Sequence, residues 1–177
     1  DNIIVFLQNG TYLITSIESK KYVGNGIMHA AVWKKNDEHM VYNYVYKDSK
    51  TNWSYVKRFS ITSAIKDRVY LLGKGEKGSK ALYLTANPNS EAEVISIDLD
   101  LSSKARIKNL KYDFSTLDIK SKTSKGNILT KYYSVPINQR DIKGTIKQLK
   151  TIKDLKPKTP ESVIQFMGAA RKDLNII

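Results

Sequence analysis

Two pairs of alternating acids, Glu91 with Glu93 and Asp98 with Asp100, are the residues whose spacing comes closest to a reactive arrangement. In an extended segment each pair shares one face. Two carboxylates there could bind a cation or divide acid and base roles. Alternating acids more commonly form the solvent face of an edge strand, where they repel a second sheet, and these are read so. Neither His29 nor His39 stands at a metal-ligand spacing to the other or to a carboxylate pair. His29 lies among apolar neighbours, the setting of a structural imidazole. Gly73-Lys74-Gly75-Glu76-Lys77-Gly78 matches the glycine spacing of a dinucleotide loop, but that loop must open a helix to seat the pyrophosphate. Lys80-Ala81-Leu82-Tyr83-Leu84 follows and reads as strand. Gly78-Ser79-Lys80 carries serine and lysine in the reverse of the phosphate-loop order. The chain has no cysteine, which excludes disulfides and thiolate zinc sites. No nucleophile, acid–base or metal set can be assembled.

What remains is cationic. The 177 residues hold 30 Lys+Arg against 17 Asp+Glu, a formal net charge of +13. Residues 1–100 contribute 13 against 11 and residues 101–177 contribute 17 against 6, so the second part holds nearly all the excess. Such asymmetry calls for an acidic partner: nucleic acid, an anionic membrane or an acidic protein. Lys57-Arg58 on one strand and Lys125 with Lys131 on another read as equivalent hairpin positions. Lys74, Lys77 and Lys80 crowd one loop, while Lys104, Arg106, Lys108 and Lys111 alternate with smaller or apolar residues. Lys122 and Arg140 extend the series. Cations reaching outward from a rigid frame are what neutralising a row of phosphates requires.

The frame reads as β. Eleven Tyr, four Phe and two Trp among many Ile and Val favour strands. Asn9-Gly10 between Ile3–Leu7 and Thr11–Ile17 predicts a tight hairpin with positive φ at both turn residues. A loop follows through Gly24-Asn25-Gly26. Ile27–Trp33 is then expected to turn at Lys34–Glu38 and pair with Met40–Tyr46. Ser54–Ile61 and Val69–Leu72 are strands, and Gly73–Ser79 is a loop. Lys80–Thr85 and Glu91–Leu99 flank a turn at Ala86-Asn87-Pro88-Asn89-Ser90. The hairpin recurs at Tyr44–Ile61 and again at about Lys108–Val135. Tyr12, Tyr55 and Ile128 then fall at equivalent points, and the first interval is typical of a propeller-like array.

Beyond Pro136 the pattern changes. Ile142, Ile146, Leu149, Ile152 and Leu155 with interleaved lysines predict a basic amphipathic helix over 142–156, weakened by Gly144. Thr159-Pro160-Glu161 starts a second helix carrying Val163, Phe166, Met167, Ala170 and Leu174. The chain thus divides into a β domain over 1–137 and a basic helical tail over 138–177. It has no apolar run of the roughly 20 residues a membrane helix needs. It opens on Asp1 rather than Met, as a piece of a longer protein would.

Ser54-Tyr55-Val56-Lys57-Arg58-Phe59, Gly78 to Val94 and Gly126-Asn127-Ile128-Leu129-Thr130-Lys131 resemble the C-terminal region of the A subunit of bacterial type IIA topoisomerases, over about residues 1–137. Within the most specific stretch, Ala86–Val94, Ser90 stands where relatives usually carry glycine. The resemblance implies an all-β pinwheel of propeller-like blades that exchange strands. It also implies a non-catalytic module that binds and bends double-stranded DNA on a basic rim. The rim candidates are Lys57, Arg58, Lys74, Lys77, Lys80, Lys104, Arg106, Lys108, Lys122, Lys125, Lys131 and Arg140. Partners would be DNA, the ATPase B subunit, plus the rest of the A subunit, with no membrane, in the bacterial cytoplasm at the nucleoid. Cofactors are expected to be none in this chain, ATP and Mg acting through other domains. The gyrase box, glutamine-arginine-arginine-glycine-glycine-lysine-glycine, is not met by Gln139-Arg140-Asp141, which points to a topoisomerase IV-like parent. The alternative is a protein-interaction platform with the tail as a docking arm; helix 142–156 could also touch anionic lipid.

Overall fold

A computed structural model describes residues 1–73, 77–99 and 104–132, together with the backbone of residues 142–148. Among the described residues there are twelve strands: β1 (Asn2–Leu7), β2 (Thr11–Ser16), β3 (Ile27–Trp33), β4 (Val41–Lys47), β5 (Ser54–Phe59), β6 (Val69–Leu71), β7 (Lys80–Asn87), β8 (Val94–Leu99), β9 (Asn109–Asp113), β10 (Ile119–Lys120), β11 (Asn127–Thr130) and β12 (Ile142–Gln148). A single 3-10 turn, Phe114–Thr116, is the one helical element among the described residues. The all-β expectation is met for them.

The strands form three sheets. Sheet A runs β3-β1-β2-β6 and sheet B runs β7-β4-β5-β10, with β11 also on β5; sheet C runs β12-β8-β9. Pairing is antiparallel except between β10 and β5. The sheets repeat one plan. Each is built on a hairpin, β1–β2, β4–β5 or β8–β9, flanked on its first strand by a strand that follows later in the chain. In sheets A and B the second strand of the hairpin is flanked by a strand from the next unit: β6 crosses back to β2, and β10 and β11 cross back to β5.

This plan corrects the predicted repeat. The first two copies are right, since Tyr12 and Tyr55 are the second residues of β2 and β5. The third copy is β8–β9, not the segment around Ile128. Ile128 is the cross-strand neighbour of Tyr55, not its equivalent. No local pattern separates an edge strand from the strand it covers. Likewise β3 pairs with β1 rather than β4, and β7 pairs with β4 rather than β8. At the first hairpin Gly10 has φ 77°, but Asn9 is not among the residues with positive φ. Gly10 N donates to Leu7 O, and Asn9 Oδ1 accepts from Thr11 N and Oγ1. The turn therefore needs one left-handed residue, not two.

Residues 142–148 are β12, antiparallel to β8 in the register Ile142↔Leu99 and Ile146↔Ile97, where a basic helix was predicted. Gly144 and the β-branched Ile142, Thr145 and Ile146 are poor helix formers, and the edge of β8 offers backbone partners, with a register shift between Ile142 and Ile146. The rest of that helix and the helix predicted from Thr159 lie outside the described residues.

Side chains of Ile4, Phe6, Tyr12 and Ile14 from sheet A meet Tyr42, Tyr44, Tyr46, Tyr55 and Phe59 from sheet B in one buried cluster. The opposite face of sheet B sends Val45 and Val56 against Ile95, Ile97 and Leu99 of sheet C and Phe114 of the 3-10 turn that follows β9. Sheet B is thus sandwiched. All six residues of β5 are buried, although two of them, Lys57 and Arg58, are charged. A strand covered on both faces has no solvent side on which to place charge.

Candidate functional site

Sandwiching fixes the fate of the adjacent cations in β5. Lys57 is 1% exposed and Arg58 7% exposed, so neither reaches outward as predicted. Lys57 points toward the aromatic cluster shared with sheet A, its Nζ 4.9 Å from the Phe59 ring centroid and 6.0 Å from that of Tyr44. The ammonium donates to the carbonyls of Lys122 at 2.5 Å and Ser124 at 3.1 Å. Burial pulls its pKa down to about 7.

Arg58 points the other way. Its Nε donates to Asn43 Oδ1 at 2.8 Å, and Nη2 donates to the carbonyls of Ser90 and Glu91 at 2.9 and 3.2 Å. Asn43 Nδ2 in turn donates to Glu93 Oε2 and to the Glu91 carbonyl. Glu93, predicted to face solvent, is 3% exposed and also accepts from Tyr83 Oη and Thr85 Oγ1. Its partner in the sequence pattern, Glu91, is exposed and caps Asn89 N and Nδ2. Burial lowers the Arg58 pKa, with Glu93 pulling it back up. The network pins the 87–93 loop, the stretch most specific to the resemblance, against the middle of sheet B. Ser90 sits there at φ 59°, in the left-handed region that favours glycine.

The other predicted cations are placed differently. Lys122, Lys125 and Lys131 lie together on the segment that crosses from sheet C to cover the edge of β5. Each rests on an aromatic ring: Lys122 on Tyr70 (5.0 Å) and Tyr12 (5.9 Å), Lys125 on Tyr55 (5.0 Å), Lys131 on Trp53 (4.7 Å). Lys122 Nζ also donates to Ser63 O at 3.1 Å, and Lys125 Nζ lies 3.9 Å from Asp48. Lys122 and Lys125 are half-buried; Lys131 is exposed. Lys77 and Lys80 are exposed at the entry to β7, and Lys104 and Arg106 are exposed in the β8–β9 connection with Lys108 half-buried. Lys74 and Arg140 lie outside the described residues.

Two further exposed cations belong with these groups: Lys120 on β10, beside Lys122, which the spacing argument did not name, and Lys111 on β9, which it named but which is not among the rim candidates. The Asn43–Glu93–Arg58 network was missed altogether, because no sequence pattern brings positions 43, 58 and 93 together. Arg106 and Lys131 flank an open groove of about 590 Å³ whose lining includes Ile107, Ile128 and Tyr132, all exposed. Among the described residues no cluster of three His, Asp or Glu could hold a metal ion, and no helix is long and apolar enough to cross a membrane.

Comparison with known proteins gives this arrangement its context. The A subunit of DNA topoisomerase 4 from Borreliella burgdorferi is 33% identical over 79 residues, which is 44% of this chain and 12% of that protein. The chain therefore corresponds to a small part of that relative's length. Residues 1–141 match the family model described as the topoisomerase C-terminal domain of Bacteroidota, and the chain belongs to that family of topoisomerase C-terminal domains.

Proposed function

We propose that this domain is the non-catalytic DNA-holding module of a bacterial type IIA topoisomerase A subunit, which binds and bends duplex DNA across a basic exterior. The observation that carries the reading is the family match over residues 1–141. The net charge of +13 and the exposed cations on strand-connecting segments support it. The proposed contact set is Lys77, Lys80, Lys104, Arg106, Lys108, Lys122, Lys125 and Lys131, joined by Lys74 and Arg140; Lys57 and Arg58 stand outside it because they are buried and donate to partners inside. The strand exchange between units is the kind of connection a pinwheel uses, and a topoisomerase IV-like parent fits the missing gyrase box. The partners in this scheme are DNA, the remainder of the A subunit, plus the ATPase B subunit, in the bacterial cytoplasm. Strand cleavage, ATP and Mg belong to other parts of the enzyme.

Bending a short site by 40–90° costs on the order of 1–6 kcal/mol. Several ion contacts must offset that cost, which ties the function to salt. Duplex affinity measured against salt should fall with a log–log slope near −0.9 per phosphate engaged, with little dependence on base sequence. A slope indistinguishable from zero would rule the reading out. A second reading, docking of another protein, is favoured by the apolar groove beside Ile107, Ile128 and Tyr132. Nuclease-resistant capture of a partner together with no duplex shift at low salt would select it.

A further inference from the structure

Building on the DNA-holding reading, we infer that Lys57 is a positioning residue: from inside the sheet stack it fixes the 120–126 turn so that Lys122 and Lys125 face the anion as a rigid pair. The two carbonyls that Lys57 Nζ reaches belong to Lys122 and Ser124, within the turn that carries both cations. Neighbouring carbonyls are tied to the same body. Tyr46 Oη donates to Lys125 O at 2.5 Å, and Gly73 N donates to Lys122 O at 3.3 Å. The turn's own backbone contributes Ser124 N to Ser121 O. Gly126, at φ 85°, closes it so tightly that a Cβ would collide with Val56 O and lie 2.9 Å from Lys57 Cβ. Side-chain contacts finish the arrangement, with Lys122 on Tyr70 and Ser63 O, and Lys125 on Tyr55.

Burying an amine away from any carboxylate is expensive, and an apolar residue would fill the space more cheaply. An apolar side chain could not, however, donate to two turn carbonyls from the middle of a covered strand. Lysine is long enough to do so. Cations held in place before the ligand arrives lose little rotamer freedom on binding, so each contact returns more affinity. The segment that Lys57 secures thus replaces Lys57 itself as part of the proposed contact face.

The test uses the full chain and a fluorescein-labelled duplex titrated over a series of salt concentrations. Lys57→Met should keep the β circular-dichroism signature while its log–log salt slope becomes shallower by about one to two units, at about 0.9 per lost phosphate contact. Lys122→Gln with Lys125→Gln should cause a similar loss, and the triple variant should lose no more. A wild-type slope in Lys57→Met, or a loss that adds fully to that of the double variant, overturns the inference. Should Lys57→Met fail to fold, Tyr46→Phe decides: removing the hydroxyl bond to Lys125 O should cost part of one unit and not add to Lys125→Gln, and an unchanged slope overturns the inference. Failure of the wild-type chain to bind duplex in any salt-dependent way is a separate result. It defeats the DNA-holding reading, and this inference with it.

Discussion

Lys57 and Arg58 are consecutive in β5, almost equally hidden, and separated by the thickness of one sheet. Lys57 faces sheet A among aromatic rings and meets only carbonyl oxygens and π-faces. Arg58 faces sheet C and enters a network that includes a buried carboxylate, Glu93, through Asn43. Each holds a segment outside its own hairpin: Lys57 the turn at 120–126, Arg58 the loop at 87–93. The difference lies in charge compensation. An amine can shed its proton when burial opposes the charge, and Lys57 is pulled to about 7. A guanidinium does not deprotonate in proteins, so burying one depends on a stable set of acceptors and a nearby anion. The same sandwiching has therefore produced a titratable latch on one face and a permanent one on the other.

The sharpest way to break this contrast is to make both cations apolar. Arg58→Met leaves Glu93 buried without its cation, takes the Arg58 donor from the Ser90 carbonyl and leaves the Glu91 carbonyl with its bond from Asn43 alone, and should cost about 3–4 kcal/mol. Lys57→Met removes a poorly solvated amine while leaving two carbonyls less satisfied, and should change stability by no more than about 1 kcal/mol. Urea denaturation of both variants measures the gap. Equal losses would mean that charge compensation does not distinguish the two faces.

A pH titration sharpens it further. Lys57 has a folded pKa of about 7, well below the ordinary lysine value of 10.5, so between those pH values the unfolded chain binds more protons. Stability should therefore rise as pH increases from about 7 toward 10, by on the order of 3–4 kcal/mol. Above that range it should fall. Tyr12, Tyr42, Tyr44 and Tyr83 are pushed up by burial, so the unfolded chain loses phenolic protons first. Denaturation midpoints across this range should trace a rise and then a decline in the wild type, and only the decline in Lys57→Met. A rise that survives in the variant would assign it to another group.

How much of this could be read beforehand depended on the range of the interaction. The β class, the Asn9-Gly10 hairpin and the equivalence of Tyr12 with Tyr55 follow from local alternation and turn chemistry, which act within one hairpin. The crossing of β6 to β2, and of β10 and β11 to β5, depends on which open edge lies nearby, and no local pattern encodes that. The adjacent charges in Tyr55-Val56-Lys57-Arg58-Phe59 suggest a surface site, because nothing in that segment tells of a sheet packed on its second face. Ile142 to Gln148 suits helical spacing as well as strand alternation; the partner edge of β8 decided the outcome. Among the lysines of the crossing segment, the sequence pairs Lys125 with Lys131 as hairpin positions and offers Lys122 only as one more candidate. Their seats on Tyr70, Tyr55 and Trp53 come only from the exchange of strands.

The smallest expected effect concerns Ser90, whose carbonyl accepts from Arg58 while its backbone stays left-handed at φ 59°. Glycine would remove the strain of that conformation, about 1–2 kcal/mol. It would also forfeit the bond from Ser90 Oγ to His39 O and add freedom to the unfolded chain, about 0.5–1 kcal/mol each. These terms nearly cancel, so Ser90→Gly should shift stability by about 0.5 kcal/mol or less. Ser90→Val keeps the strain, loses the hydroxyl and adds a branched carbon where left-handed geometry least tolerates one, so it should cost about 2 kcal/mol. If Arg58 is what imposes the geometry, that penalty should shrink in an Arg58→Met background, where the loop can relax. A double-mutant cycle from thermal or urea melts reads the coupling directly. Full additivity would show that the loop keeps its left-handed turn without Arg58, through Ser90 N bonded to His39 O and Asn87 O.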